Sequence, residues 1–333
     1  MRKLSVLLLV TLTACVIAVA IARPPEVGAA RALKVRMDWR YQGYQAPFFI
    51  AVDKGYYKAA GLEVAILAGQ GSGTGVKLVA SGAEELGFLD AGVAALSISK
   101  GAPLKVVAGV IQLNPTVVIS WKDKAVAKPK DMEGKSLSWV PGVATNFTLT
   151  ALWKANGVDE GRIKKVSTTR EAAESLFLER KTDFASGFVN ATWAVYLSKG
   201  YGKDMQILRA SDWGVNTLSL ALVAHTKLIA EEPQVVRAFV AATLKGLKEA
   251  VENPELGWKT VVKHKPEVDA KLAQYGLENS LALLRTANTK DKPLGWMADK
   301  DWEATIDFLA SYMELTPKLP LNRYYTNEFV PGS

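Results

Sequence analysis

Between Trp39 and Phe48 the chain places four aromatic rings, Trp39, Tyr41, Tyr44 and Phe48, and sets two carboxamides, Gln42 and Gln45, among them. Rings offer flat faces for stacking, and carboxamides both donate and accept hydrogen bonds, so this stretch has the chemistry to hold a flat polar molecule. A polar surface loop does not ordinarily carry so much apolar area. Further on, Gly69, Gly71, Gly73 and Gly75, with Ser72 and Thr74 between them, lead into residues 76–80, the start of a second helix. A loop of this kind at a helix start offers backbone N–H groups and the positive end of the helix dipole to an anion or strong acceptor. Its spacing fits neither the dinucleotide fingerprint nor the phosphate loop, and a flexible turn is the competing reading. The catalytic inventory is thin. His225 and His264 are the only histidines, without metal-ligand spacing, and no nucleophile-elbow pattern occurs. The pairs Glu84-Glu85 and Glu231-Glu232 read as helix termini or solvated faces. No catalytic residue, metal ligand or cofactor site is therefore assigned.

Both loops need strands to carry them. Residues 33–37 alternate apolar and charged into Asp38, which suits a short strand reaching a sheet edge. Pro47 marks a first helical turn and Gly55 its stop, so a two-turn helix returns the chain for a strand at 62–67. In an open α/β sheet such loops leave the carboxyl ends of strands, the edge where ligands bind. Strands at 86–89 and 104–110, with helices between, continue the alternation and argue a parallel sheet covered on both faces. Asp90 is either an N-cap for a helix over 91–99 or a ligand contact. Gln112 and Asn114, beside Pro115, suit a hinge, a cleft floor or a plain turn where the chain crosses to a second unit.

That second unit begins at 136–140 and repeats the device: Ala144, Thr145 and Asn146 lead into a helix to about residue 156. If the units face each other, two helix starts, at 72–74 and 144–146, point into one cleft and clamp a polar small molecule. Strands at 163–166 and 183–189 flank a helix at 171–179. In the turn that follows, Asn190 offers an amide or an N-cap, and Trp193 a ring or plain packing. Trp213 precedes 218–224, the crossing back, and lines the cleft, the hinge or neither. Helices are expected at 233–251, 256–264, 266–276, 277–287 and 298–313, and the tail at 316–333 is expected to lie irregularly on the surface.

The run APFFIAVDKGYYKAAGLEV and the following GQGSGTGVKLVASGAEELGFLDAGVAALSISKGAPLKVVAGV resemble the solute-binding proteins of the nitrate, sulfonate and taurine ABC importers. Within that group they are most similar to the branch of binding proteins for the thiamine pyrimidine precursor, over about 33–253. The resemblance implies an α/β, two-lobed periplasmic binding protein fold of type II, with two mixed sheets, helices on both faces and a ligand cleft between the lobes. It places lobe one at 31–117 and 217–333 and lobe two at 118–216, closing like a Venus flytrap. The turns carrying Asp90 and Asn190 would face the ligand. The implied partners are a small-molecule ligand and an importer permease with its ATPase, with the chain a monomer. The first expectation is a heterocyclic or aromatic solute, such as an aminopyrimidine. The alternative is a sulfonate, taurine or another small organic anion held by the glycine loop, a reading that gains if Arg40 points inward. A fungal relative of similar outline makes the thiamine pyrimidine by consuming its own histidine. That chemistry requires an active-site histidine and a cysteine-rich motif. The loops of lobe one carry no histidine, so the chain is read as a non-enzyme.

Arg2 and Lys3 precede an uncharged run at 4–22, which reads as a secretory signal occupying 1–30, with a retained membrane anchor as the competing reading. Val27-Gly28-Ala29 offers a release site; Leu12-Thr13-Ala14-Cys15 resembles a lipobox that would lipidate Cys15. The apolar run continues beyond Cys15, which favours release into the periplasm. Cys15 is the only cysteine, so the processed chain has neither disulfide nor thiol nucleophile. Losing 1–30 removes three of 41 basic and one of 33 acidic residues, leaving +6 from +8. That charge is moderate and spread along the chain, unlike the clustered basic face of a nucleic-acid binder.

Overall fold

The computed structural model describes residues 30–332. The signal-like run and Cys15 lie outside the described residues. The strands are β1 (Arg31–Met37), β2 (Leu62–Leu67), β3 (Leu86–Asp90), β4 (Leu104–Gly109), β5 (Thr116–Trp121), β6 (Ser136–Trp139), β7 (Lys164–Ser167), β8 (Phe184–Phe188), β9 (Met205–Arg209) and β10 (Leu220–His225). They form two five-stranded sheets, ordered β2-β1-β3-β10-β4 and β7-β6-β8-β5-β9. The chain crosses from the first sheet to the second at 110–115 and returns at 210–219. These are the two mixed sheets of the expected two-lobed binding-protein fold.

Each sheet takes its antiparallel strand from a crossing. β10 runs antiparallel between β3 and β4, and β5 runs antiparallel between β8 and β9. β1 to β4 share one direction, as alternating strand and helix require, yet the first sheet is mixed. Only the returning chain can fill the gap between β3 and β4, and β10 is apolar along its length there.

The helices of the first lobe are α1 (Ala46–Asp53), α2 (Tyr56–Ala59), α3 (Ser72–Ala80) and α4 (Ala91–Ser99). The second lobe carries α5 (Ala144–Ala155), α6 (Arg170–Leu178) and α7 (Thr192–Ser198). The returning chain forms α8 (Thr226–Glu231), α9 (Pro233–Glu252), α10 (Pro254–His264), α11 (Ala270–Leu281), α12 (Asp299–Tyr312) and α13 (Leu321–Tyr324). Pro47 sits in the first turn of α1, where its missing N–H costs nothing. Gly55 turns the chain into α2 with φ +68°, a conformation glycine adopts freely.

Two expectations need correction. The sequence suggests helices at 266–276 and 277–287 broken at Gly276; instead α11 runs through it. A Cβ at Gly276 would meet the Asn190 carbonyl at 3.1 Å and the Gly43 nitrogen at 3.2 Å. The glycine therefore marks close packing, not a stop. The tail is also no surface strand of irregular chain: Tyr324, Phe329 and Val330 are buried, and Tyr325 bridges Val106 at the edge strand β4. Its apolar residues cover a sheet edge that would otherwise be exposed.

Candidate functional site

The aromatic loop is built around a buried carboxyl. Asp38, just beyond β1, accepts from the Tyr44 hydroxyl at 3.0 and 3.1 Å and from Gln45 Nε2 at 3.2 Å. Burial pushes its pKa up to about 7, against the lowering effect of those donors. The loop is stitched to the glycine loop by the main chain, Gly71 N–H donating to Asp38 C=O at 2.8 Å and Gly69 N–H to Trp39 C=O at 2.9 Å. A Cβ at Gly69 would lie 1.9 Å from the Met37 carbonyl, so glycine is required for this approach. Gly43 is equally constrained, with the Ala273 carbonyl of α11 in the place its Cβ would take.

Opposite this loop stand the start of α5, the end of β8 and one face of α7. Together they enclose a cavity of about 100 Å³ between the lobes. From the first lobe it is lined by Asp38, Trp39, Arg40, Gln42, Tyr44 and Ser72. From the second come Ala144, Thr145, Asn146, Glu174, Phe188 and Tyr196, with smaller residues between them. Rings of both lobes thus border one space. Gln42 is wholly buried there, and its Nε2 and Oε1 lack hydrogen-bond partners. Oε1 faces the Gln45 N–H, but that group is already given to the Gln42 carbonyl at 3.2 Å. The Nε of Arg40 is likewise buried without a partner. The first turn of α5 has no side-chain cap, so its leading N–H groups add donors at the same wall.

Arg40 borders the cavity, but its charge is engaged: Nη2 donates to Glu174 Oε2 across the cleft at 3.5 Å. Glu174 also accepts from Lys199. Glu174 holds the Tyr196 hydroxyl's pKa up further, after burial, which is the larger cause. Among the described residues no group of three or more His, Cys, Asp and Glu could hold a metal ion. His225 caps α8, its Nδ1 accepting from Lys227 N–H at 3.0 Å, and His264 lies beside Asp53. Neither is among the residues bordering the cavity.

Seven of the residues singled out in the sequence meet here: Trp39, Gln42, Tyr44, Ser72, Ala144, Thr145 and Asn146. The others lie elsewhere. Tyr41 turns away, donating to the Ile66 carbonyl at 2.8 Å beneath the Lys265 ammonium. Gln45 braces Asp38; Asn146, although it borders the cavity, has its Nδ2 given to the Val140 carbonyl at 2.7 Å. Asp90 caps α4 through Val93 N–H at 3.0 Å and accepts from Ser219 Oγ at 3.1 Å, with its pKa raised by burial to about 6. The cap reading therefore holds for Asp90.

The two opposed helix starts meet the cavity unequally: Gly71 and Ser72 border it at the start of α3, and Ala144, Thr145 and Asn146 in the first turn of α5. Gly73 N–H donates to the Gly142 carbonyl of the other lobe at 3.2 Å, and Gly73 and Thr74 stand outside the lining. Gln112 and Asn114 belong to the crossings: Gln112 Nε2 donates to the Trp296 carbonyl at 3.0 Å, and Asn114 Nδ2 to Thr217 Oγ1 at 2.7 Å. Asn190 Nδ2 donates to Ser280 Oγ of α11 at 3.0 Å, Trp193 packs against the core, and Trp213 is exposed on the second lobe.

Glu174, Phe188 and Tyr196 were missed by sequence reading. For Tyr196 a signal exists: Thr192, Val195 and Tyr196 follow the i, i+3, i+4 spacing of one helical face, which turns Trp193 away. For Glu174 none exists, because one acid on a polar helix face looks like any other.

A model of the family described as NMT1/THI5 like matches residues 42–256. The chain is 28% identical over 305 residues to the riboflavin-binding protein RibY of Chloroflexus aurantiacus, covering 86% of this chain and 82% of that protein. It is 26% identical over 287 residues to the formylaminopyrimidine-binding protein of Halalkalibacterium halodurans, covering 85% and 86%. It is 21% identical over 304 residues to a 4-amino-5-hydroxymethyl-2-methylpyrimidine phosphate synthase of Legionella pneumophila, covering 89% and 92%. Among solved structures, the alkanesulfonate-binding protein SsuA from Xanthomonas axonopodis pv. citri superposes with a TM-score of 0.68 at 12% identity, covering 89% of this chain and 98% of that one.

Proposed function

The chain belongs to the NMT1/THI5-like family, and from that membership we propose that it is the solute-binding component of an ABC importer, capturing a small neutral heterocycle between its lobes. The observation that carries this reading is Gln42, a wholly buried carboxamide with both polar atoms unpartnered, bordering a cavity that is also lined by Trp39, Tyr44, Phe188 and Tyr196. Leaving such groups unpaired costs about 1–3 kcal/mol each, which a ligand with an adjacent acceptor and donor would recover. A nitrogen heterocycle carrying an amino group has that edge and a flat face for the rings. By the measure on which one water needs about 10–15 Å³, the cavity of about 100 Å³ has room for a substituted ring. An aminopyrimidine is therefore the first candidate, in keeping with a relative named for binding a formylaminopyrimidine.

The partner is a permease with its ATPase, reached from the periplasm by a released monomer that presents both lobes on closure. The ligand-binding residues are Trp39, Gln42, Tyr44 and Ser72 with the turn at Ala144, Thr145 and Asn146. A synthase role is disfavoured because neither histidine borders the cavity.

The test is a thermal-shift and calorimetric screen of residues 31–333 against aminopyrimidines, riboflavin, taurine and alkanesulfonates. A ligand at a hundred times its Kd stabilises the protein by about 2.7 kcal/mol. The expected result is a shift with an aminopyrimidine that Gln42→Leu removes without lowering the ligand-free Tm. A shift with sulfonates alone would overturn the heterocycle reading.

A further inference from the structure

Arg40 and Glu174 belong to different lobes, Arg40 to the loop after β1 and Glu174 to α6, yet both border the inner cavity and the groove outside it. Lys199, the second partner of Glu174, borders only the groove. The charged side chains lining the cavity, among the described residues, are Asp38, Arg40 and Glu174. A guanidinium at a cavity wall is by default a receptor for carboxylates, sulfonates and phosphates, because its fork of donors matches their oxygens. Here an Nη of that fork is turned onto Glu174 Oε2 at 3.5 Å, while Nε is buried without a partner. Of the remaining donors, the buried one is Nε–H, suited to a single neutral acceptor.

We propose that Glu174 is the specificity-determining residue of the site: by holding the charge of Arg40 across the cleft it lets the cavity accept a neutral acceptor and turns organic anions away. The proposal rests on the solute-binding reading, and it deepens that reading by naming which residue sets the charge of the solute. An anion entering beside Glu174 meets a like charge and a guanidinium already engaged. Removing the carboxylate leaves an unpaired cation at the wall. One residue on lobe two thus decides between two classes of solute, although the donor that touches the ligand comes from lobe one.

The test compares residues 31–333 with the Glu174→Gln variant by calorimetry, using butanesulfonate and benzoate as anionic probes and 4-amino-2-methylpyrimidine as the neutral one. Glu174→Gln is expected to bind the anions about tenfold or more tightly than the wild type, since truncating one partner of a charge pair frees the other. High salt should shrink the gain, and the Arg40→Gln/Glu174→Gln double variant should lack it. If Glu174→Gln does not fold, Glu174→Ala frees the same cation and takes its place. A folded Glu174 variant with no gain in anion affinity overturns the proposal, as does a wild type that binds the anions equally well. Failure of the neutral probe on the wild type would instead count against the heterocycle reading, while an anion gain in the variant would still support the role of Glu174.

Discussion

Asp38 is the residue on which the aromatic loop depends, and it makes the protein sensitive to pH. Its carboxyl is buried, so its pKa rises from 3.8 to about 7, and that of Asp90 rises to about 6 for the same reason. In the folded state both therefore keep protons that the unfolded chain releases near pH 4. The stability this contributes is fully present below the unfolded value and is lost as pH rises through the folded one. Between about pH 4 and pH 7 the protein should lose stability, by a few kcal/mol on the order-of-magnitude scale of 1.4 per unit of pKa shift. Urea titrations of the wild type and Asp38→Asn across that window check this. The variant should show a shallower decline, and parallel curves would mean that Asp38 does not titrate there.

At the scale of elements, the start of α3 is shared between the cavity, which Ser72 borders, and the other lobe. Its Gly73 N–H meets the Gly142 carbonyl across the cleft, and a Cβ at Gly73 would lie 2.9 Å from that oxygen. The same Cβ would favour the helix, where alanine is better than glycine by about 1 kcal/mol. Gly73→Ala should therefore leave the ligand-free Tm equal or slightly raised while weakening ligand affinity about 5- to 30-fold through the overpacked contact. Calorimetry and thermal melts separate the two effects. A fall in both would show that the contact stabilises the ligand-free protein as well. α11 has a related role: it touches the loop at Gly43 and, through Asn279 and Ser280, the turn at Val189 and Asn190. It braces both lobes beside the cavity.

At the scale of the whole molecule, the two crossings and the contacts at Gly73–Gly142 and Arg40–Glu174 describe lobes drawn together around the cavity. The balance between open and closed is then open to bias by a ligand that fits the closed form better. Small-angle scattering should then give a radius of gyration that falls on ligand addition toward the ~19 Å of a compact chain of this size. An unchanged radius would mean that closure does not depend on ligand.

The sequence by itself determined much of this protein. Alternating strand and helix, Pro47 and Gly55 around α1, and small residues ahead of α3 and α5 are local signals, because they act through backbone conformation and side-chain period. They were enough to place the aromatic loop and the glycine loop at one sheet edge and the 144–146 turn across a cleft from them, and the run of rings and amides announced recognition. What the sequence left open depends on which atoms meet across the fold. Gly276 looked like a helix break because the carbonyl that crowds it belongs to Asn190. Trp193 and Trp213 could each be a cleft ring or plain packing, and the rings that border the cavity from lobe two are Phe188 and Tyr196. Gln45 and Gln42 are the same residue type three positions apart. Only the tertiary structure spends one on Asp38 and leaves the other unpartnered, because a hydrogen bond is satisfied by a neighbour in space and no periodicity in the chain records where that neighbour will be.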